Sequence, residues 1–281
     1  MKVCSPLKLW CAYFFQRSLW QYSYFGDENM SDIYLFDVDG TLTPAKSKID
    51  NKFQKSFLDW MQDKEVYIVS GGSFVRLIDQ LGTDIIDSTQ GVFACMGNIF
   101  YQKREQVNNS GMSEWEIIYE NKFIAPNNLY RSLNSYVAKS SYHTKTGRHH
   151  DLRTGMINFS IVGRNATKKQ RMEYENYDAE NGERARIVRK LRKKYSELDF
   201  VIGGAVSIDI FNKGNDKSQV IPRYFSEAIE HNQIHFVGDR IPAPGNDHSL
   251  AAALRQHPNG VAYEVETWED TVKLLKTGPF S

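Results

Sequence analysis

Three short apolar runs in this chain each end on a polar or glycine-rich loop. Residues 33–36 (Ile-Tyr-Leu-Phe), 66–69 (Val-Tyr-Ile-Val) and 234–237 (Ile-His-Phe-Val) have the length and composition of buried strands. The second run leads into a Ser-Gly-Gly-Ser turn and then, from residue 74, into apolar positions at helical spacing. Strand, glycine-rich turn and helix in this order predict an α/β fold with a doubly wound parallel sheet, whose ligands bind at the carboxyl ends of the strands.

The pattern changes between the second and third runs. Residues 156–160 alternate as a strand does, and residues 184–194 form a basic stretch in which Ala185, Val188 and Leu191 recur at helical spacing. This spacing indicates an amphipathic helix with a solvated face rather than a nucleic-acid site.

These patterns divide the chain into an extension, a core and an insertion. We predict a core domain of residues 31–107 and 215–281 and, between its two parts, an inserted α+β domain of residues 108–214. Residues 1–30 contain an apolar run, residues 9–15, that is too short to span a bilayer and is not followed by a small-residue cleavage site. An upstream mistranslation, a docking segment and an appended helix all remain open for this extension.

Charge and cysteine content narrow the class of partner and the compartment. The 35 Lys and Arg residues oppose 34 Asp and Glu residues, so the formal net charge is +1 and no bulk attraction to nucleic acid or to a membrane surface is expected. The cysteines, Cys4, Cys11 and Cys95, form neither a dense framework nor a paired metal-ligand spacing. We therefore expect a cytoplasmic protein.

The loop after the first strand carries two aspartates, Asp37 and Asp39, ahead of Gly40. A phosphate ester repels an anionic nucleophile, so Asp37 needs a cation to screen that charge before it attacks phosphorus. Mg²⁺ suits carboxylate ligands, and the candidates are Asp37, Asp39, Asp239 and Asp247. Because the backbone turns at Gly40, Asp39 can face the bridging oxygen and act as general acid and base while Asp37 forms a phosphoaspartate.

Two further side chains complete this candidate catalytic site. Ser70 in the glycine-rich turn can donate a hydrogen bond to a phosphoryl oxygen, and Lys217 can neutralise the phosphoaspartate. Both residue types are common on ordinary surfaces. Only their order relative to Asp37 and Asp239 supports a catalytic role.

Six short segments of the chain, taken in order, carry a resemblance to a known family. They are Phe36-Asp37-Val38-Asp39-Gly40-Thr41-Leu42-Thr43, Gly163-Arg164, Gly203-Gly204, Ser207-Ile208-Asp209, Gly214-Asn215-Asp216-Lys217 and Pro244-Gly245-Asn246-Asp247-His248. In these segments the chain resembles the haloacid dehalogenase (HAD) superfamily and, over most of residues 31–277, its eukaryotic-type phosphomannomutase family, which has a cap of type IIB. The resemblance implies a HAD-like core, Mg²⁺ dependence, a hexose bisphosphate activator and a homodimer through the cap.

The resemblance also implies that the inserted domain is a cap that closes over a sugar phosphate. Three cap arginines, Arg153, Arg164 and Arg171, would bind the phosphate that is not reacting, since guanidinium groups bind phosphate oxygens in pairs. Ser207 and Asp209 alternate with apolar residues, so their side chains share one face of a strand and are expected to bind sugar hydroxyls.

The implied function is that of a phosphomannomutase, an isomerase that interconverts mannose 6-phosphate and mannose 1-phosphate through a phosphoaspartate and a hexose bisphosphate, for GDP-mannose synthesis. A sugar phosphatase would share the Asp37 chemistry but pass the phosphoryl group to water, and it has less need of a second phosphate site. Lys46 stands where the family has an arginine near the substrate, which keeps the charge but loses the bidentate fork and leaves the preferred hexose open. A non-catalytic sugar-phosphate-binding relative is the third alternative. The presence of Asp39, Lys217 and Asp239 together with Asp37 argues against it.

Overall fold

A computed structural model of the chain describes residues 31–107 and 113–281, so the prediction for residues 1–30 lies outside the described residues. The strands are β1 (Ile33–Phe36), β2 (Glu65–Val69), β3 (Gly91–Ala94), β4 (Ile99–Val107), β5 (Ser113–Glu120), β6 (His150–Arg153), β7 (Met156–Ser160), β8 (Leu198–Gly203), β9 (Ser207–Asn212), β10 (Ile234–Gly238) and β11 (Gly260–Glu264). The α-helices are α1 (Asn51–Met61), α2 (Phe74–Leu81), α3 (Thr83–Ser88), α4 (Leu129–Lys139), α5 (Lys168–Asn181), α6 (Glu183–Lys194), α7 (Ala228–His231), α8 (His248–Leu254) and α9 (Trp268–Leu274).

The larger sheet of the described residues has the strand order β11-β10-β1-β2-β3-β4-β5. Strands β11 to β3 in that order run parallel, and β4 and β5 add an antiparallel edge. β1 and β10 are buried along their whole length, which explains why their sequences are continuous apolar runs. The predicted strands and the doubly wound α/β class are confirmed.

Helices cover both faces of this sheet. α1 begins at Asp50, whose side chain accepts hydrogen bonds from two backbone amides of the first turn, and it buries Phe53, Phe57 and Met61 at a spacing of four. On the opposite face the rings of Phe93 and Phe100 stack with centroids 4.1 Å apart. None of the helices in the described part of the chain is long and apolar enough to cross a membrane.

One predicted domain boundary differs from the division of the strands between the two sheets. The sequence predicts residues 113–120 in the inserted domain, but they form β5, which pairs with β4 in the larger sheet. Trp115 on β5 lies against Phe74, with ring centroids 5.3 Å apart, and donates a hydrogen bond to Asp87. The pattern within a strand indicates which of its faces is buried, but not which sheet it joins.

The insert, defined here as residues 121–214, is built on a four-stranded antiparallel sheet with the order β6-β7-β9-β8. Ile157, Phe159 and Ile208 on one face of this sheet belong to a cluster of buried residues shared with α4, α5 and α6. Asn158 and Asp209 lie on the other face because successive strand residues point to opposite sides. The basic stretch forms the predicted amphipathic helix, since α6 is buried along one side only.

Gly163 provides a test of how tightly the insert is built. Its φ is +84°, and a Cβ at this position would lie 1.8 Å from the carbonyl oxygen of Thr146. We expect Gly163→Ala to lower the free energy of unfolding by about 3 kcal/mol, because left-handed strain and a backbone clash add together. Gly182→Ala is the matched control: φ is +60° but the space around it is open, so we expect about 1 kcal/mol. Equal losses of stability in urea unfolding would contradict the predicted clash.

Candidate active site at the carboxyl edge of the larger sheet

Three carboxylates meet where β1 and β10 end side by side. Asp37 follows β1 directly, Asp239 follows β10, and Asp247 lies in the next loop before α8. Oxygen atoms of these three residues lie within 4.8 Å of one another. The carboxyl ends of adjacent parallel strands therefore bring Asp37 next to residues 202 and 210 positions later in the sequence, as the doubly wound fold predicts.

A buried ammonium group joins two members of this cluster. Lys217 Nζ lies 2.5 Å from Asp37 Oδ1 and 2.6 Å from Asp247 Oδ1, and the lysine side chain is fully buried. Burial by itself opposes the charged form of Lys217, but the carboxylates of Asp247 and Asp37 outweigh it and raise the pKa of this ammonium group. Lys217 is therefore a fixed positive charge at the floor of the site.

The cluster still carries more negative charge than its neighbours neutralise. Burial raises the pKa of the Asp37 carboxyl above its ordinary value, against the pull of Lys217. Burial, with repulsion from Asp247, also raises the pKa of Asp239 to about 7, although Arg240 Nε lies 3.3 Å from Asp239 Oδ2. A cation would relieve this repulsion.

The donor set fits a hard divalent cation such as Mg²⁺. Carboxylate oxygens are its preferred protein ligands, and the buried Asn246 Oδ1 has no hydrogen-bond partner among the described residues. Gly40 makes room for this group: its φ is +95°, and a Cβ there would lie 2.3 Å from Asp239 Oδ2. Asp37, Asp239 and Asp247 are thus the side chains able to hold the metal together.

The carboxylate of Asp39 is not part of this cluster, and its role as a ligand of the same metal stays a prediction. Its Oδ1 instead accepts hydrogen bonds from the backbone N–H of Lys46 at 2.5 Å and from Gln80 Nε2 at 2.9 Å. Arg76 Nη2 lies 3.3 Å from its Oδ2. The turn at Gly40 separates the two aspartates, so they face different partners.

Ser70 lies at the carboxyl end of β2, next to β1, and is buried. Its Oγ accepts a hydrogen bond from the backbone N–H of Gly72 at 3.1 Å, which leaves the hydroxyl proton available to a ligand. Ser70 lines the same cavity as Asp37 and Asp39. Asp37, Asp39 and Ser70 therefore form the floor of one cavity, and Lys217 lies buried against Asp37.

A cavity of about 530 Å³ separates this floor from the insert. The polar face of the insert sheet forms its roof, with Ser207 and Asp209 in the lining. Asp209 Oδ1 accepts a hydrogen bond from Asn158 Nδ2 at 2.5 Å, and Ser207 Oγ donates to the carbonyl of Gly203 at 2.7 Å. Burial raises the pKa of the Asp209 carboxyl.

The three predicted arginines line the same cavity. Asp151 braces two of them, since its Oδ2 lies 3.0 Å from Arg153 and 2.9 Å from Arg164. Arg171 donates to two backbone carbonyls of the insert, and its buried Nη1 has no hydrogen-bond partner among the described residues. An unpaired buried donor of this kind is suited to an anion in the cavity.

Lys46 adds a cation to this group from the core side. Part of its side chain remains exposed, yet the cavity walls withdraw it from bulk water, and this, with repulsion from Arg171 and Arg164, lowers its pKa to about 7. The guanidinium groups of Arg164 and Arg171 likewise have lowered pKa values, mainly through burial. Positive charge therefore collects opposite the acidic floor.

Sequence reasoning missed four residues of the site: Arg76, Gln80, Asn158 and Asn246. Arg76 and Gln80 are four residues apart on α2, directly after the Ser70 turn, so helical spacing was a signal that both lie on one face of the helix. The alternation of β7 likewise placed a polar residue between Ile157 and Phe159. In both α2 and β7 the signal is a polar residue within an otherwise apolar pattern.

A groove of about 620 Å³ lies elsewhere, on the outer surface of the insert between α4 and α6. It is lined by basic and hydroxyl side chains such as Arg131, Lys190 and Ser135. Its carboxylate, Glu183, accepts a hydrogen bond from Tyr174 within the insert. This groove lacks the cluster of carboxylates that lines the cavity.

Comparisons with known proteins give first the fold class of this chain and then its family. A haloacid dehalogenase-like hydrolase from Bacteroides thetaiotaomicron superposes with a TM-score of 0.50 at 14% identity, over 86% of this chain and 91% of that one, which defines the fold class as HAD-like. The phosphomannomutase of Saccharomyces cerevisiae is 30% identical over 88% of this chain and 94% of its own length, and that of Spinacia oleracea is 33% identical over 86% and 93%. The family described as eukaryotic phosphomannomutase matches residues 54–278, and the chain belongs to this family.

The acidic cluster predicts a pH-dependent stabilisation by Mg²⁺. With a pKa of about 7 when folded and 3.8 ordinarily, Asp239 binds its proton more tightly in the folded, metal-free protein. That contribution is complete below about pH 4 and is lost as the pH rises through about 7. Mg²⁺ needs the deprotonated form, so Mg²⁺ at about 100 times its dissociation constant should raise Tm by roughly 5–10 °C near pH 8 and by much less near pH 5.5.

Asp239→Asn should abolish most of this Mg²⁺-dependent rise, whereas Asp79→Asn, at an exposed position on α2, should retain it. Thermal unfolding of the three proteins with and without Mg²⁺ measures the effect. An equal rise at both pH values, or one that survives in Asp239→Asn, would contradict the proposed ligand.

Proposed function

We propose that this protein is a phosphomannomutase that interconverts mannose 6-phosphate and mannose 1-phosphate, with Mg²⁺ and a hexose bisphosphate activator. The observation that carries the proposal is a single cavity with two groups of side chains, each suited to one phosphate. One is the floor around Asp37, and the other is the arginine group of Arg153, Arg164 and Arg171. A hydrolase acting on one phosphate has less use for the second site.

Asp37 is the proposed nucleophile. Its Oδ2 would attack phosphorus while its Oδ1 stays bonded to Lys217, which holds the carboxylate in one orientation and offsets the charge of the phosphoaspartate. A Mg²⁺ ion held by Asp37, Asp239 and Asp247 would supply electrostatic screening of the phosphoryl oxygens. Ser70 would donate its hydroxyl proton to one of those oxygens.

Asp39 is the proposed general acid and base. It would protonate the bridging oxygen as the sugar hydroxyl leaves, and it would take a proton from the attacking hydroxyl when the phosphoryl group returns. Between these steps the bisphosphate would turn over in the cavity, so that its second phosphate reaches Asp37. Lys46 and the three arginines would hold the phosphate that is not reacting, and Ser207 and Asp209 would bind sugar hydroxyls.

The insert would serve as a cap that closes over the substrate and keeps water from the phosphoaspartate. Its proposed extent is residues 121–214, shorter than the sequence pattern predicts because β5 belongs to the larger sheet. Family membership is the support for three further parts of the proposal: a homodimer through the insert, a cytoplasmic location and a role in supplying mannose 1-phosphate for GDP-mannose synthesis.

A product assay tests the reaction. Purified protein incubated with mannose 1-phosphate, Mg²⁺ and a hexose bisphosphate should form mannose 6-phosphate, separated by anion-exchange chromatography. Asp37→Asn keeps the shape of the side chain but removes the nucleophile, so turnover should fall by about 10³-fold or more. Release of free phosphate without mannose 6-phosphate would reject the mutase and favour a sugar phosphatase. Sugar phosphate binding with neither product would favour the non-catalytic relative.

Arg171→Ala tests the second phosphate site. The side chain is braced by two backbone carbonyls, and its free Nη1 is the group proposed to bind the distal phosphate. We expect kcat/KM to fall by about 10²-fold, the loss of one strong charge-assisted contact, with a decrease of about 1–2 kcal/mol in the free energy of unfolding. Arg192→Ala is the control, because Arg192 also donates to an insert carbonyl but lies outside the cavity. Unchanged kinetics in Arg171→Ala would reject the assigned role.

A further inference from the structure

Three N–H donor groups surround the carboxylate of Asp39. Oδ1 accepts hydrogen bonds from Gln80 Nε2 at 2.9 Å and from the backbone N–H of Lys46 at 2.5 Å. Arg76 Nη2 lies 3.5 Å from Oδ1 and 3.3 Å from Oδ2. Among the described residues, the contacts of Asp39 therefore crowd onto Oδ1, and Oδ2 is left with the long contact to Arg76.

The orientation of the Gln80 amide is fixed by its other neighbours. Its Oε1 accepts a hydrogen bond from Arg76 Nε at 3.0 Å, and its Nε2 also lies 3.3 Å from the carbonyl oxygen of Ser47. A flipped amide would set its oxygen against both that carbonyl and the Asp39 carboxylate, and its NH₂ group against the Arg76 donor. The amide N–H groups therefore face Asp39, and Gln80 is only 4% exposed.

The two side chains that surround Asp39 come from one rigid element. Arg76 and Gln80 are four residues apart on α2, so they occupy the same face of the helix. Leu77 and Leu81 on this helix are fully buried, which anchors α2 against the sheet. A group held by a packed helix keeps its geometry more closely than one held by loops.

We infer that Gln80 and Arg76 are positioning residues that hold the carboxylate of Asp39 so that Oδ2 carries the transferable proton. The inference rests on the proposed function only in that Asp39 acts as general acid and base. Protonation of Oδ1 would break the two short hydrogen bonds from Gln80 and the Lys46 backbone, whereas protonation of Oδ2 disturbs only the longer contact with Arg76.

Proton transfer from Asp39 accompanies the transfer of the phosphoryl group to Asp37. Oδ2–H gives its proton to the bridging oxygen, the bond from phosphorus to that oxygen breaks, and an Asp37 oxygen forms the new bond to phosphorus. Asp39 becomes a carboxylate, and the leaving group departs as a neutral alcohol. In the reverse transfer Oδ2 takes the proton of the incoming hydroxyl.

The test varies the leaving group, because a good leaving group needs no proton and a poor one does. The substrates are mannose 1-phosphate and a series of aryl phosphates from p-nitrophenyl phosphate to phenyl phosphate, with phenolate release followed before steady state. Gln80→Met keeps side-chain length but removes the donor to Asp39. We expect kcat to fall by about 10²-fold on mannose 1-phosphate, with KM nearly constant, and the rate constant of the phenolate burst to fall by less than about threefold on p-nitrophenyl phosphate.

Gln54→Met is the matched control. Gln54 Nε2 donates to the carbonyl of Leu81 at the end of α2, so this variant removes a glutamine near the same helix without touching Asp39. It should leave every rate within about threefold of wild type. Equal losses on all leaving groups in Gln80→Met, or a change in KM alone, would assign Gln80 a structural or binding role and overturn the inference.

Substitutions of Arg76 test the inference a second time. Its side chain is partly exposed, so they replace no fully buried residue. Arg76→Met should produce the same dependence on the leaving group, and Arg76→Lys should restore part of the rate by keeping a donor near Asp39. Identical rates in the two variants would contradict the positioning role of Arg76.

The same series separates this inference from the proposed function. A wild-type protein that releases phenolate but does not convert mannose 1-phosphate overturns the phosphomannomutase proposal alone, and the aryl series still tests Gln80. A wild type that is inactive on every phosphate ester overturns both.

Discussion

A buried ammonium group between two carboxylates is the interaction on which the rest of the structure depends. Lys217 is fully buried, and its Nζ contacts both Asp37 and Asp247. Removing one partner of such a pair costs about 3–5 kcal/mol, because a charge is then left in a medium that solvates it poorly. The three residues come from the first strand, the turn after the insert and the loop after β10, so their pairing ties both halves of the core together.

This constraint also sets the charge pattern of the cavity. The paired lysine leaves the floor acidic, whereas the roof and rim carry the cationic groups of Arg164, Arg171 and Lys46. The two regions line the same cavity, which has a volume of about 530 Å³. With a divalent cation bound at the acidic floor, both regions would present positive charge to the cavity, which suits the two phosphates of the sugar bisphosphate in the proposed function.

The core of the fold was predictable because its signals are local. Apolar runs at residues 33–36, 66–69 and 234–237 indicated buried strands, and the parallel order followed from the turns and helices between them. The position of β5 was not predictable, since its edge pairing depends on a neighbouring strand rather than on its own pattern. The different surroundings of Asp37 and Asp39 were not predictable for a similar reason: Lys217 contacts one and Gln80 the other, and both partners come from other elements.

The sequence by itself determined the residue types at the strand ends, the family and the presence of an insertion, because each is encoded in contiguous segments. Only the tertiary structure decided which carboxylates lie close enough to hold one cation and which one is held apart. That choice depends on Gln80 and Arg76, more than thirty-five residues after Asp39, and on a helix whose approach to the loop is set by the sheet. Distances between side chains from separate elements arise from how those elements pack, and no local pattern encodes them.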